Sequence, residues 1–300
     1  MQVAISGSSG LIGAALAASL TRDGHRVLRL RRGGVTDGDE IGWDPQGGRI
    51  DAPALEGVDA VVHLAGESIG AHRWSDEQKR RIEESRVRGT AVLAAAIASR
   101  ERKPRVFVSG SAIGVYGNRG DEILTEDSRP GDDFLANVVR KWEAETQPAI
   151  DAGVRTVLLR TGIVLARSGG ALTRMLTPFK LGLGGRLGSG KQWMSWIALE
   201  DEVRAIRHVI ETEACSGPVN ATSPNPVTNL EFTKTLGDVL GRPTVLPTPL
   251  LPLKLLYGAE LVESLLLFSQ RVMPARLEAS GFTFAQPVLD GALRSVLRPT

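Results

Sequence analysis

Cysteine is nearly absent: Cys215 stands alone in 300 residues, which excludes an intrachain disulfide and points to a reducing compartment. Histidine is scarce too, and the scattered His25, His63, His72 and His208 offer no ligand cluster for zinc, so no metal is expected. The sequence lacks any run of about 18 apolar residues, the length a membrane span needs. Its first apolar stretch, Val3-Ala4-Ile5, is too short and too soon followed by glycines for a secretion signal. Neither sign of charge is in excess: 36 basic and 34 acidic residues leave a formal +2, so composition calls for neither nucleic acid nor a charged membrane. The expected setting is cytoplasmic. The expected partner is a small-molecule substrate, and a homodimer is the assembly to consider.

What is present is a regular alternation. At 300 residues the chain exceeds one typical domain of roughly 100 to 200 residues. Short apolar runs at Gln2–Ser6, Arg26–Leu30, Ala60–Leu64, Arg105–Ser109 and Arg155–Leu159 read as strands. Between them Leu11–Arg22, Asp76–Arg100 and Asp133–Ala152 carry helical patterns. This is the signature of an α/β fold with a Rossmann-type doubly wound parallel sheet. After about residue 165 the texture changes, with five glycines from Gly182 to Gly190 and a proline-dense stretch from Pro243 to Pro252. The expected division is a nucleotide-binding domain over 1–165, with some later segments returning to it, and a smaller substrate-covering region over 166–300. Leu181–Lys191 is expected to be its mobile cover, with Trp193 and Trp196 offering surface to a ligand.

Gly7-Ser8-Ser9-Gly10-Leu11-Ile12-Gly13 follows the first strand and opens the first helix. In this context Gly7 permits a tight turn, Gly10 lets a pyrophosphate approach the backbone, and Gly13 lets helix and strand pack closely. The helix N-terminus stabilises the phosphates. Gly7, Ser9, Gly10, Leu11, Ile12 and Gly13 are therefore candidate cofactor contacts. NAD-binding folds present an acidic residue to the ribose about 20 residues onward; here Arg31 and Arg32 stand at the end of the second strand. Two guanidinium groups suit a 2′-phosphate, which favours NADP over NAD.

The chain further carries His63-Leu64-Ala65-Gly66-Glu67, Arg73-Trp74, Ser85-Arg86, Ser109-Gly110-Ser111, Val115-Tyr116-Gly117, Lys141-Trp142-Glu143, Arg160-Thr161-Gly162 and Trp196-Ile197. Its C-terminal part adds Gln270-Arg271-Val272-x-Pro274 and Gly281-Phe282-x-Phe284-x-x-Pro287. With these marks it resembles the extended short-chain dehydrogenases/reductases, and within them the NAD-dependent epimerase/dehydratase-like epimerase family proteins of the SDR39U1 or YfcH type, over nearly its whole length. The resemblance implies cofactor contacts at Leu64 and Ala65, at Arg86, and at the nicotinamide-side loop of Arg160 and Thr161. His63 is expected to be packed rather than catalytic, and Asp201 to cap a helix.

One departure from that pattern concerns catalysis. Ordinary members pair a serine or threonine with Tyr-x-x-x-Lys, but four residues after Tyr116 stands Gly120 and four after Tyr257 stands Leu261. Spacing from Pro130 puts Phe134 and Val138 at the two positions; aligning from Glu145 puts Asn137 and Lys141 there. Ser111 resembles the family's active-site serine and is the candidate catalytic residue, with no base in sequence beside it. Asp132, Asp133, Lys79 and Arg73 are the polar candidates to replace the tyrosine. The implied function is an NADP-dependent oxidoreductase or epimerase with an atypical active site; the alternative is a catalytically silent NADP(H)-binding sensor or regulatory interaction protein.

Overall fold

The computed structural model describes residues 1–33 and 38–297. In chain order its elements begin with β1 (Gln2–Ser6), α1 (Leu11–Arg22), β2 (Arg26–Arg31), β3 (Glu40–Asp44), β4 (Arg49–Ile50), β5 (Ala60–His63), α2 (Asp76–Ala98) and β6 (Val106–Ala112). There follow β7 (Ile123–Leu124), α3 (Phe134–Ala144), α4 (Gln147–Asp151), β8 (Arg155–Thr161), β9 (Ile163–Leu165) and α5 (Gly170–Lys180). The last part holds β10 (Trp193–Met194), β11 (Trp196–Ala198), α6 (Leu199–Glu211), β12 (Gly217–Ala221), β13 (Val227–Thr228) and α7 (Asn229–Leu240). It ends in α8 (Leu250–Tyr257), α9 (Ala259–Val262), β14 (Arg271–Val272), α10 (Ala275–Ala279) and α11 (Leu289–Leu297).

Among the described residues the main sheet has eight strands in the order β12-β8-β6-β5-β1-β2-β3-β4. Neighbours are parallel except β3 and β4. Every residue of β5 is buried, as a central parallel strand covered on both faces requires. One face is covered by α1 and α6 through Leu16, Leu20, Ile206 and Val209; α2 and α4 cover the other with Leu93, Ile97 and Ala149. Strand order reverses between β1 and β5, and ligands of doubly wound folds bind at the carboxyl ends of the strands beside such a switch point.

One expectation changes in the structure. The helix expected over Asp133–Ala152 is broken into α3 and α4, because Pro148 sits in the first turn of α4; within one continuous helix its ring would collide with the carbonyl four residues earlier. The sheet runs past residue 165: β12 pairs along β8 from Gly217↔Val157 to Ala221↔Thr161. Elements after that residue divide between this layer and a separate apolar cluster around Leu165, Trp196 and Phe232.

Candidate functional site

At the end of β1 the chain turns at Gly7 with φ +69°, a conformation open to glycine and costly to most other residues. A Cβ on Gly7 would lie 2.8 Å from Ala65 N, so the turn presses on the segment after β5; one on Gly13 would lie 2.2 Å from Gly7 O. At Gly10 the nearest atom to such a Cβ is Gly7 O at 3.2 Å. Ser9 and Gly10 are exposed, and Leu11 and Ile12 half-buried. Gly10 starts α1 with no side-chain cap and no acidic residue in the first turn, so the positive end of the helix is left for an external anion.

Leu64 and Ala65 are held against this turn by buried Ser6. Its Oγ accepts from Leu64 N at 3.2 Å and Ala65 N at 3.3 Å and lies 2.6 Å from His63 Nδ1. With both acceptor sites taken, the serine proton goes to Nδ1, which assigns His63 as the neutral tautomer protonated on Nε2. Burial, reinforced by the Arg86 charge, pulls the His63 pKa down to about 4. This histidine packs edge-on against Trp43 and, through Ser6, supports the Leu64–Ala65 segment.

Arg31 and Arg32 part company at the end of β2. Arg31 pairs with Glu40 at 3.3 Å, an acid that β3 brings across from nine positions onward. Arg32 forms no ion pair with the described residues and lines a cavity of about 370 Å³ with Gly33, Trp43 and Arg49. Arg49, which sequence reasoning passed over because it lies in the β3–β4 hairpin, brings a second guanidinium there, paired with Asp44 at 2.9 Å.

On the other side of the switch point, Ser111 is not without a carboxylate, contrary to the sequence-based expectation. Its Oγ donates to Glu143 Oε1 at 2.6 Å. Arg160 grips the same carboxylate with Nε and Nη2, both at 2.9 Å, and its Nη1 donates to Tyr116 Oη at 3.0 Å and the Glu126 carbonyl at 3.3 Å. Tyr116 in turn donates to Asn220 Oδ1 at 2.7 Å. Burial alone would loosen the Arg160 proton, but bonds and charge from Glu143 and Tyr116 outweigh it and raise its pKa above the ordinary value. Burial has the opposite effect on Tyr116 and raises its pKa, against the charge and bond from Arg160. The Arg160 side chain thereby holds four bonds to protein acceptors. Thr161 donates to Glu202 Oε1 at 2.8 Å. Glu202 is fully buried with Oε2 unpartnered; burial drives its pKa up to about 8, against the bond from Thr161. The signal for Glu143 was Lys141-Trp142-Glu143 itself, read as a family mark and not as a source of chemistry.

Arg86 lies under the Gly66–Glu67 segment, donating to the carbonyls of Glu67 at 2.9 Å and Ile82 at 3.1 Å and stacking on Trp142. Burial lowers its pKa to about 10, with Glu67 opposing. The positions proposed for the missing tyrosine and lysine do no proton chemistry: Phe134 packs on Trp74 and Val138 is buried. In the other alignment, Asn137 donates to the Asp132 carbonyl and Lys141 pairs with Glu83. Of the polar substitutes, Asp133 caps α3 and Lys79 pairs with Glu260 over the Phe134 ring; Arg73 packs beside Gly258. Asp201 does not cap its own helix: its carboxylate takes the N–H groups of Ala285 and Gln286. Trp196 is fully buried, while Trp193 stacks under Arg271 at 4.2 Å. Leu181–Lys191 is tied to neighbouring backbone through Leu187, Thr248 and Asn229.

Residues 3–221 match the family described as NAD dependent epimerase/dehydratase, and residues 248–296 match a domain of unknown function, DUF1731. An epimerase family protein of Mycobacterium leprae is 45% identical over 291 residues, 97% of this chain and 94% of its own length. The crystal structure of human epimerase family protein SDR39U1 with NADPH superposes with TM-score 0.91 at 35% identity, covering all of both chains. A structure described as a nucleoside-diphosphate sugar epimerase from Corynebacterium glutamicum gives TM-score 0.82 at 40% identity, over 99% of this chain and 58% of that one.

Proposed function

The chain belongs to the NAD dependent epimerase/dehydratase family, and from that premise we propose that it is an NADP(H)-dependent oxidoreductase or epimerase in which Ser111 and Glu143 take over the proton handling of Tyr-x-x-x-Lys. The residues present fit the cofactor: a tight glycine turn with Ser9 and Gly10 exposed, an uncapped helix N-terminus behind it, and Arg32 on a cavity at the end of β2. Similarity to the relative solved with NADPH supports the choice of cofactor. The cofactor when bound supplies hydride exchange at its nicotinamide; the protein must then hold the substrate oxygen and manage its proton.

The observation that carries this reading is the 2.6 Å bond from Ser111 to Glu143. Because the serine proton is directed to a carboxylate, the lone pairs of the buried Oγ are left as acceptors, which suits a substrate hydroxyl. A proton received at Oγ passes to Glu143 Oε1 along the existing bond as the serine gives up its own, a transfer that must meet the cost of leaving Arg160 without its counter-charge. Arg160 fixes the carboxylate in place with two parallel bonds, the geometry that best orients such a pair.

Fluorescence titration with NADPH and NADH tests the cofactor side. One charge-assisted contact from Arg32 contributes roughly 1.5 to 3 kcal/mol, so NADPH should bind at least about tenfold tighter and Arg32→Ala should erase most of that preference. Equal affinities would overturn the NADP assignment. Turnover is tested separately by screening carbonyl compounds and nucleotide sugars through NADPH absorbance. Tight NADPH binding without any turned-over compound favours the sensor reading.

A further inference from the structure

The sequence holds only a slight overall excess of positive charge, but the structure gathers it. Two stretches, 180–191 and 241–258, contain Lys180, Arg186, Lys191, Arg242 and Lys254 and no acidic residue; Lys254 is paired with Glu263 at 3.4 Å, which leaves four cations to set the charge of the face. They are neighbours in space: Thr248 N donates to Arg186 O at 2.9 Å, Thr248 Oγ1 to Gly185 O at 3.0 Å, and Leu187 bridges Thr248. The same stretches expose apolar side chains. Leu181 and Leu183 are each 69% exposed, Val245 87%, Leu246 75%, Leu251 69% and Leu255 70%. Leu251 and Leu255 stand four residues apart on one stripe of α8, a helix none of whose residues is buried. Single exposed leucines are ordinary, but a concentration of this kind marks a contact surface.

We propose that this face docks the protein on an anionic lipid surface, with α8 lying in the interface, its leucines among the acyl chains and the surrounding lysines and arginines at the headgroups. Charge selects the occupant. A second copy placed face to face would set Lys180, Arg186, Lys191 and Arg242 against the same four cations, and like charges opposed across an interface disfavour the pairing; a negatively charged surface complements both these cations and the apolar stripe. The contact is peripheral, since no helix among the described residues is long and apolar enough to cross a membrane. It is independent of the cofactor reading.

The test is sedimentation of the full chain with vesicles of phosphatidylcholine alone and of phosphatidylcholine with roughly 30% phosphatidylglycerol, at low and high salt. The expected result is binding to the anionic vesicles that weakens with salt, and at least about a tenfold loss of partitioning in Leu251→Glu/Leu255→Glu. Both substituted residues are exposed, so the variant should keep the wild-type melting temperature, which is checked in parallel. Absence of binding to anionic vesicles, equal binding to neutral ones, or undiminished binding by the variant overturns the proposal. So does light scattering that shows a wild-type dimer which the substitutions dissociate, since the face would then belong to a second copy.

Discussion

Three glycines in one turn carry different physical burdens, and substitution should separate them. A methyl group on Gly13 meets Gly7 O at 2.2 Å, backbone against backbone with no side chain able to yield, so Gly13→Ala should destabilise the fold by about 1 to 3 kcal/mol. On Gly10 the nearest obstacle is 3.2 Å away, and the proposed approach of a pyrophosphate to this backbone would meet the added methyl. Gly10→Ala should therefore melt within about 1 kcal/mol of wild type while losing NADPH affinity. Thermal unfolding beside NADPH titration reads both quantities, and equal losses of stability in the two variants would contradict the assignment. This turn was legible in the sequence because glycine spacing reports local sterics. Arg32 was legible by position, whereas the pairing of Arg31 was hidden: Glu40 reaches it only because β3 lies parallel to β2.

At the scale of elements, Arg160 joins β8 to α3 through Glu143, and Ser111 ties β6 into the same knot. Removing one member of a buried pair leaves the other charge uncompensated, typically at a cost of 3 to 5 kcal/mol. Glu143→Leu should lose about that much, and Glu143→Leu/Arg160→Met should recover more than half of it, since the double change removes both charges together. Chemical denaturation of the two variants measures this; a double variant less stable than the single one would mean that Arg160 is held chiefly by Tyr116 and the Glu126 carbonyl. In the first 165 residues β1, β2, β5, β6 and β8 and the helices α1 and α2 could be read from periodicity, with β1 and α1 found at their observed ends, whereas the short β3, β4, β7 and β9 could not. The knot could not, because Ser111, Glu143 and Arg160 are 32 and 17 positions apart and local pattern carries no information on which strand ends face which helix. β12 escaped for a local reason: a five-residue strand opening Gly217-Pro218 resembles a turn.

Across the whole molecule, two fully buried groups set opposite pH slopes. The folded-state pKa of Glu202, about 8, lies above its ordinary 4.5, so between those values the unfolded chain has released a proton that the folded chain keeps. Stability therefore declines as pH rises through that window. His63 has a folded pKa of about 4 against an ordinary 6.5; in that interval the unfolded chain binds the extra proton, and stability declines as pH falls. Where the intervals overlap, between 4.5 and 6.5, each contributes one proton of opposite sign and the slopes cancel. Above 6.5 only Glu202 acts, and it costs about 3 kcal/mol at pH 7 relative to a neutral group. Below the overlap the histidine slope is left uncompensated, and the depressed carboxyls of Asp44, Glu56 and Asp290 add to the acid loss. The melting temperature should thus change little from about pH 5 to 6.5, where the burial-lowered pKa of His208 alone tilts it toward loss at the acid end, and fall toward pH 8. Glu202→Gln stays neutral at every pH and retains an acceptor for Thr161, so its melting temperature should hold where that of wild type falls. The two proteins should converge near pH 4.5, the ordinary Glu202 value. Parallel alkaline slopes for wild type and Glu202→Gln in differential scanning calorimetry would show that Glu202 is already ionised in the folded protein.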